Sequence, residues 1–155
     1  MNKEKKGSDF SKTRKRTIRK IIVHCTATPD GEDFTVAQIR RMHLNRGFSD
    51  IGYHWVIYRD GSIIKGRDES KAGAHTSNHN YDSIGVCYVG GCDFRTNKTW
   101  NRCPKDTRTS EQKISMLKLL KELKDRYPEA RIYGHRDFAN KACPSFDAKS
   151  EFSKI

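Results

Sequence analysis

Two histidines and one cysteine are the residues of this sequence that could bind a metal ion together. His24 and His135 each end a short apolar segment of the kind that forms a buried strand, and Cys143 follows His135 by eight residues. Imidazole nitrogens and a thiolate are ligands that zinc takes, and three protein ligands leave one coordination position open, as in catalytic zinc sites. The spacing leaves an alternative open, because a histidine at a strand end is more often a hydrogen-bonded polar residue than a ligand.

The chain that must position these side chains reads as alternating strands and helices. The order is strand, helix, hairpin, strand, long helix and strand, over residues 19–25, 35–47, 52–65, 83–91, 109–127 and 130–134. This order predicts an α/β fold in a single domain, with a central mixed β-sheet flanked by helices, and α+β is the alternative class. Residues 136–155 are predicted to form a loop and a tail.

Local signals mark both helices and the hairpin. Thr35 with Gln38 and Thr109 with Gln112 have the spacing of capping boxes, and the Asp60-Gly61 pair favours a tight turn between two strands. In the second helix, apolar residues recur at spacings of three or four. They predict a buried stripe that consists of Ile114, Leu117, Leu120, Leu123 and Tyr127.

Length and composition indicate one globular unit. The chain has 155 residues, of which 34% are hydrophobic and 32% are charged, and this suits a single core of moderate size. No apolar run approaches the roughly 20 residues that a membrane-spanning helix needs, and no signal-peptide core is found. We therefore expect a monomer without membrane insertion that is cytoplasmic as synthesised.

Basic charge is concentrated at the start of the chain. The formal net charge is +12, and residues 1–20 contain nine basic side chains against Glu4 and Asp9. We predict a basic, flexible arm over residues 1–17 and a folded domain over residues 18–155. Such an arm suits a polyanion as partner, whether nucleic acid, an anionic wall polymer or an acidic protein face, and a solubilising tail is the alternative.

The pattern of the five cysteines indicates neither a disulfide framework nor a zinc knuckle. Their number is odd and no two of them are spaced as Cys-x-x-Cys. Cys92 and Cys103 flank a loop, and two free thiols are the favoured state for them, with pairing in an oxidising environment as the alternative. Cys25 is predicted to be a small buried residue on the opposite strand face from His24.

Four segments of the sequence resemble one known family. They are IIVHCTAT at 21–28, GYHWVIYRDGSIIKGRD at 52–68, AGAHTSNHNYDSIGVCYVGG at 72–91 and HRDFANKACPSFD at 135–147. In this order they resemble the zinc amidases of phages and bacteria, which share a fold with the peptidoglycan recognition proteins. The resemblance is greatest to the phage lysozyme type of N-acetylmuramoyl-L-alanine amidase. It implies one Zn²⁺ per chain and an endolysin activity, the hydrolysis of the amide between N-acetylmuramic acid and L-alanine in peptidoglycan.

The resemblance also implies roles for seven residues. It gives His24, His135 and Cys143 as zinc ligands, Tyr53 and Lys141 as catalytic partners, and His75 and Asn80 as substrate-groove residues. Tyr53 and Lys141 would divide proton transfer and oxyanion stabilisation between them, in a way that the sequence leaves open. For His75 and Asn80, hydrogen bonding within their own loop is the alternative role. His43 and His54 are predicted not to be ligands.

Two rival functions accompany the enzyme hypothesis. Members of the superfamily that bind peptidoglycan without cleaving it typically lack a zinc ligand, so the intact set favours catalysis here. The phage lysozyme type also implies a second role, the inhibition of a phage RNA polymerase, for which the basic arm is a candidate contact. Without a signal sequence, the protein would reach the cell wall after lysis, through a holin-like pore or by a secretion system.

Overall fold

A computed structural model describes residues 15–93 and 103–155, and a five-stranded sheet lies at its centre. The strands in chain order are β1 (Lys20–Cys25), β2 (Thr28–Pro29), β3 (Trp55–Ile57), β4 (Ile63–Lys65), β5 (Ser83–Tyr88), β6 (Gly91–Cys92) and β7 (Arg131–Gly134). The main sheet has the order β4-β3-β5-β1-β7, and β2 and β6 form a separate parallel pair. β4 runs antiparallel to β3, whereas the other pairs of the main sheet are parallel, so the predicted mixed sheet is confirmed.

β1 lies inside the sheet because it is apolar on both faces. Ile21, Ile22 and Val23 have no exposed surface, and burial of each such side chain contributes about 1.5–3 kcal/mol. The strand pairs in parallel with β5 on one side and β7 on the other. The carboxyl ends of β1 and β7 therefore meet at one edge of the sheet, which is where His24 and His135 are found.

Two longer helices, α1 (Val36–Asn45) and α2 (Ser110–Arg126), pack against separate apolar clusters of the sheet. Each begins at its predicted capping box: the Thr35 hydroxyl accepts from the backbone N–H of Gln38, and Thr109 accepts from that of Gln112. Such caps satisfy backbone groups that the first turn of a helix leaves unpaired. Helices packed on a largely parallel sheet confirm the α/β single-domain prediction.

The buried face of α2 differs from the predicted stripe. Ile114 is 70% exposed and Leu117 is 37% exposed, so the prediction is wrong for these two residues. The buried positions of the helix are Gln112, Met116, Leu119, Leu120 and Leu123. The helix is thus turned about its axis relative to the predicted orientation, and Gln112 explains why. Its Nε2 donates hydrogen bonds to the backbone oxygens of Ile57 and Val89, which fixes the first turn of the helix against the sheet.

The predicted hairpin is present, with shorter strands than the 52–65 segment suggested. β3 and β4 are three residues each, and Gly61 adopts a φ of +92° in the turn between them. Residues 52–54 precede β3 without belonging to it, although the His54 N–H still donates to the Gly85 oxygen at 3.0 Å. Tyr53 therefore precedes β3, and its ring extends along the sheet towards His24 of β1.

The tail predicted over residues 136–155 is docked and contains a short helix, α3 (Ala148–Glu151). The prediction of a loop is wrong there, because the tail has partners that are distant in sequence. The Arg108 guanidinium donates to Glu151 Oε1 at 2.8 Å and to Asp106 Oδ2 at 2.9 Å, and it lies 3.4 Å from the centroid of the Phe146 ring. These contacts hold the chain that follows Cys143 against the body of the protein.

Cys92 and Cys103 form a disulfide, so the expectation of two free thiols is wrong. Their Cα atoms are 5.1 Å apart, and an antiparallel bridge between Cys92 and Pro104 brings the two segments together. A bridge of this kind requires tertiary pairing that the spacing of the cysteines does not reveal. Cys25, Cys87 and Cys143 are free, and Cys25 lies in the core cluster on the α2 side, as predicted.

Of the basic arm predicted over residues 1–17, residues 1–14 lie outside the described residues, and for them the arm stays a prediction. Arg16 is described and donates four hydrogen bonds to the folded domain, so the predicted flexibility is wrong for this residue. In the two ranges that the structure describes, no helix combines the length and the apolar character needed to cross a membrane.

His54 is a buried neutral imidazole, and we expect it to make the fold sensitive to acid. Its Nδ1 accepts from the Gly85 N–H at 2.9 Å and its Nε2 lies 2.7 Å from the Lys71 oxygen. Burial is the main cause that lowers its pKa to about 4. The unfolded chain takes up a proton near pH 6.5 whereas the folded chain does not, so stability should fall by up to about 3 kcal/mol as the pH drops from 6.5 towards 4.

Urea unfolding at several pH values tests this contribution. His54→Asn keeps an oxygen that can accept from Gly85 and removes the titration, so its stability should fall less steeply between pH 6.5 and 4. A pH dependence as steep as that of the unaltered protein would contradict the assignment.

Candidate functional site

The three predicted ligand residues meet at the carboxyl edge of the sheet. The donor atoms of His24, His135 and Cys143 all lie within 4.8 Å of one another. Val23 of β1 is paired with Gly134 of β7, so the residues that follow them are neighbours in space. Cys143 Sγ lies 3.7 Å from His24 Nδ1, and the two histidine rings are 4.7 Å apart. The sequence prediction that these three side chains converge is confirmed.

This donor set fits a zinc ion. Two imidazoles and a thiolate are ligands of the type zinc prefers, and their spacing allows all three to contact one ion. Burial, with the nearby His75 and His135 rings, holds the pKa of His24 well below its usual range, and burial lowers the pKa of His135 to about 4. Both imidazoles are therefore neutral at neutral pH, which is the protonation state that a metal requires.

A second layer of polar groups fixes the orientation of His24. With Nδ1 directed at Cys143, its Nε2 lies 2.8 Å from His75 Nδ1 and 3.2 Å from Thr76 Oγ1. His75 Nε2 in turn lies 3.2 Å from Ser83 Oγ. One assignment of hydrogens satisfies this chain: His24 Nε2–H donates to His75 Nδ1, and His75 Nε2–H donates to Ser83. Such outer hydrogen bonds orient histidine ligands in metal sites.

Two glycines make room for the His75 ring. A Cβ atom added at Gly73 or at Gly85 would lie 2.6 Å from His75 Cδ2, closer than real side chains approach. The ring is buried between them. His75 therefore has a fixed position, and that position is behind His24.

Asn80 closes the loop that carries His75. Its Oδ1 accepts from the backbone N–H groups of His75 and Thr76, each at 2.9 Å. Both His75 and Asn80 also line the groove in front of His24, His135 and Cys143. Both residues therefore take part in hydrogen bonds within their own loop, which was the alternative role for them. Their contact with substrate stays a prediction.

Tyr53 and Lys141 both line the groove at the cluster of candidate ligands. The Tyr53 ring centroid is 5.2 Å from that of His24. Burial raises the pKa of the Tyr53 hydroxyl well above its usual range, so the group carries its proton at neutral pH. Lys141 is exposed at the rim of the groove, and its charge is one of the causes that lower the pKa values of His24 and His135.

The segment around Cys143 is held by contacts that sequence reasoning did not find. The Cys25 N–H donates to Cys143 Sγ at 3.3 Å, and the Arg136 N–H donates to the Cys143 oxygen at 2.8 Å. The Tyr88 hydroxyl donates to the Pro144 oxygen at 2.8 Å. These bonds join residues far apart in the chain, so no sequence spacing signals them. They fix the thiol at the sheet edge.

A groove of about 1140 Å³ opens in front of the three candidate ligands. Arg46 and Phe48, which follow α1, line one part of it, and the Arg46 guanidinium lies 5.1 Å from the Phe48 ring centroid. Phe138 and Lys141 line another part. Among the described residues that line the groove there is no Asp or Glu, so its charge favours an anionic ligand. Arg46, Phe48 and Phe138 were not identified from the sequence.

The remaining histidines named in the sequence lie outside the ligand cluster. His43 Nδ1 accepts from the Gly52 N–H at 2.8 Å, and His54 joins Gly85 to Lys71. Within residues 15–93 and 103–155, the group that could hold a metal consists of His24, His135 and Cys143. The prediction that His43 and His54 are not ligands agrees with this geometry.

Comparison with known proteins places this geometry in context. A sequence model of the N-acetylmuramoyl-L-alanine amidase family matches residues 14–146. The endolysin of Klebsiella phage KP32 is 41% identical over 142 residues, which cover 92% of this chain and 90% of that protein. The solved N-acetylmuramoyl-L-alanine amidase LysC from Clostridium intestinale is 27% identical, with a TM-score of 0.73 over 89% of this chain and 83% of that one. Drosophila PGRP-LB, at 24% identity, is similar in fold, with a TM-score of 0.71 over 90% and 82%.

Proposed function

The chain belongs to the N-acetylmuramoyl-L-alanine amidase family, and from that membership we propose that it is a zinc-dependent hydrolase whose metal is held by His24, His135 and Cys143. As a phage-type amidase it cleaves the amide between N-acetylmuramic acid and L-alanine in peptidoglycan. The family and the fold that the four sequence motifs implied are thereby confirmed.

One observation carries the metal proposal: three zinc-type donors from distant parts of the chain converge at the base of an open groove. A structural zinc site is usually closed by four protein ligands, whereas a catalytic site keeps one position for water or substrate. When bound, the ion would polarise the scissile carbonyl and lower the pKa of a water to about 7. The residues around it must then hold the substrate and manage protons.

Lys141 is suited to stabilise negative charge on the substrate carbonyl oxygen. It lies at the groove rim, two residues before Cys143, and its charge reaches both histidine ligands. A positive group stabilises a developing oxyanion more strongly in a groove that is partly shielded from solvent than it does in water.

Tyr53 is suited to donate a hydrogen bond or a proton. Its raised pKa makes the hydroxyl a donor and not a base at neutral pH. The ring lies beside His24 and lines the groove, and its hydroxyl is hydrogen-bonded to the Cys87 thiol. In this proposal the hydroxyl exchanges that contact for one to the nitrogen that leaves with L-alanine. The proposal thus assigns proton donation to Tyr53 and oxyanion stabilisation to Lys141, a division that the sequence left open.

His75 is proposed to support His24 and to border the substrate. Its Nδ1 contacts His24, and its backbone N–H is engaged by Asn80. Outer partners of metal-ligating histidines commonly contribute about 10–100-fold to affinity or activity. We assign the ring of His75 a positioning role and keep Asn80 as a residue that shapes the groove through the loop.

The alternative of a binding module is disfavoured because the full donor set is present. Three points stay predictions from the sequence: the contact with an RNA polymerase, the monomeric state and the route to the cell wall. Endolysins act on the cell wall, and we propose the same site of action for this chain after lysis, holin release or secretion.

Product analysis with purified sacculi tests the proposed function. We expect new amino termini of alanine to appear, activity to stop when the metal is removed by a chelator, and activity to return on addition of Zn²⁺. We expect metal analysis to give about one zinc per chain. Retained binding to sacculi without any release of amino termini would instead support the non-catalytic module.

A further inference from the structure

A single arginine outside the groove contacts both ends of the loop that carries His75. Arg16 precedes β1, and its Nη1 donates to the backbone oxygens of Glu69 at 2.9 Å and Lys71 at 3.1 Å. Its Nη2 donates to the backbone oxygens of Asn80 and Ser83, both at 2.8 Å. One guanidinium thus joins two separate stretches of backbone, residues 69–71 and residues 80–83.

The segment between these contacts, residues 69–83, forms one wall of the groove. It contains His75 and Thr76, whose side chains lie against His24, and it has no strand before β5 begins at Ser83. Within the segment, Asn80 holds the backbone of His75 and Thr76 from inside. Arg16 holds the two ends from outside. The position of the ring behind His24 therefore depends on both residues.

Arginine is suited to this task because of its geometry. Its planar guanidinium carries N–H donors on separate nitrogens, so one nitrogen can serve each end of the segment, whereas a lysine presents a single point donor. Arg16 is half-buried, and the carboxylates of Glu69 and Asp82 lie near enough to compensate its charge. Removing the guanidinium would leave four backbone oxygens without these charged donors.

We infer that Arg16 is a positioning residue of the active site: it fixes the 69–83 segment and, through His75, the orientation of His24. The catalytic part of this inference rests on the proposed function. The structural part does not, because it concerns the order of the segment and can be measured without turnover. It also makes the start of the folded chain a part of the active-site architecture.

Hydrogen exchange on the full-length, zinc-loaded protein tests the structural part. In Arg16→Ala, amides of residues 69–83 should exchange about tenfold faster or more, because their local opening is no longer resisted. Arg16→Lys keeps the charge without the fork and should still exchange faster than the unaltered protein in the same segment. Arg19→Ala is the matched control, since Arg19 is an exposed arginine three residues away, and its exchange in this segment should be unchanged.

Turnover of a soluble muropeptide tests the catalytic part. The kcat of Arg16→Ala should fall about tenfold, within the range known for outer partners of metal ligands, and Arg19→Ala should retain its kcat. Unchanged exchange in residues 69–83 would overturn the inference, as would faster exchange spread over β1 and β5, which would mean a general loss of stability. If Arg16→Ala showed faster exchange in residues 69–83 but kept its full kcat, the inference that Arg16 orients His24 for catalysis would be overturned. If the unaltered protein were inactive, the proposed function would fail while the exchange result still decided the role of Arg16.

Discussion

Cys143→Ala should lose both the metal and all measurable amidase turnover. The thiolate is the only one of the three donors that balances charge on a divalent cation, and removing it leaves two neutral imidazoles. We expect the zinc content after dialysis to fall from about one per chain towards zero, because two ligands do not retain the ion against water. Metal analysis of the purified variant and release of alanine amino termini from sacculi measure the two effects.

Cys87→Ala is the matched control for the metal content. Cys87 is a free cysteine buried in β5, and it is not a member of the ligand group. Its replacement should leave zinc bound, even if the missing thiol lowers thermal stability. A Cys143→Ala protein that keeps both its zinc and its turnover would remove the basis of the proposed mechanism.

Lys141→Ala should bind zinc normally and yet turn over about a hundredfold to a thousandfold more slowly, which is the usual loss when one oxyanion donor is removed. The side chain is exposed at the groove rim, so its removal should not disturb the core. The loss is expected in kcat more than in KM, because the contact strengthens as charge develops on the carbonyl oxygen. Steady-state kinetics with a soluble muropeptide separates the two parameters.

Lys149→Ala removes an equal charge from an exposed position in α3, outside the described groove lining, and serves as the control. It should keep its kcat. Equal losses in the two variants would indicate a general effect of net charge on the anionic substrate. Full activity in Lys141→Ala would assign oxyanion stabilisation to another group.

The convergence of the three candidate ligands could be predicted from the sequence because each of them has a local signal. His24 and His135 end apolar strands, and the carboxyl ends of neighbouring parallel strands lie together. Cys143 is marked by its motif. The helix starts were equally local, since a capping box depends on residues three apart, and both are found where they were expected.

The supporting contacts could not be predicted because they depend on tertiary pairing. The four bonds of Arg16 and the bond from Tyr88 to Pro144 join segments that no sequence pattern relates. The pairing of Cys92 with Cys103 was an open alternative in the sequence, and it depends on the bridge between Cys92 and Pro104. The α2 stripe was wrong for a similar reason. Apolar spacing alone favoured Ile114 and Leu117, whereas a polar side chain, Gln112, determined which face of the helix meets the sheet.

The site can be disrupted without any change to its reactive groups, because the His75 ring needs the space that Gly73 and Gly85 leave beside it. A single methyl group at position 85 would compete with the imidazole for the same space on β5, where the backbone has little freedom to move. The ring would have to turn away, and the hydrogen-bond chain from Ser83 to His24 would break without the loss of any functional group. Variants designed to act on other types of cell wall should therefore keep Gly73 and Gly85, just as they keep the three candidate ligands.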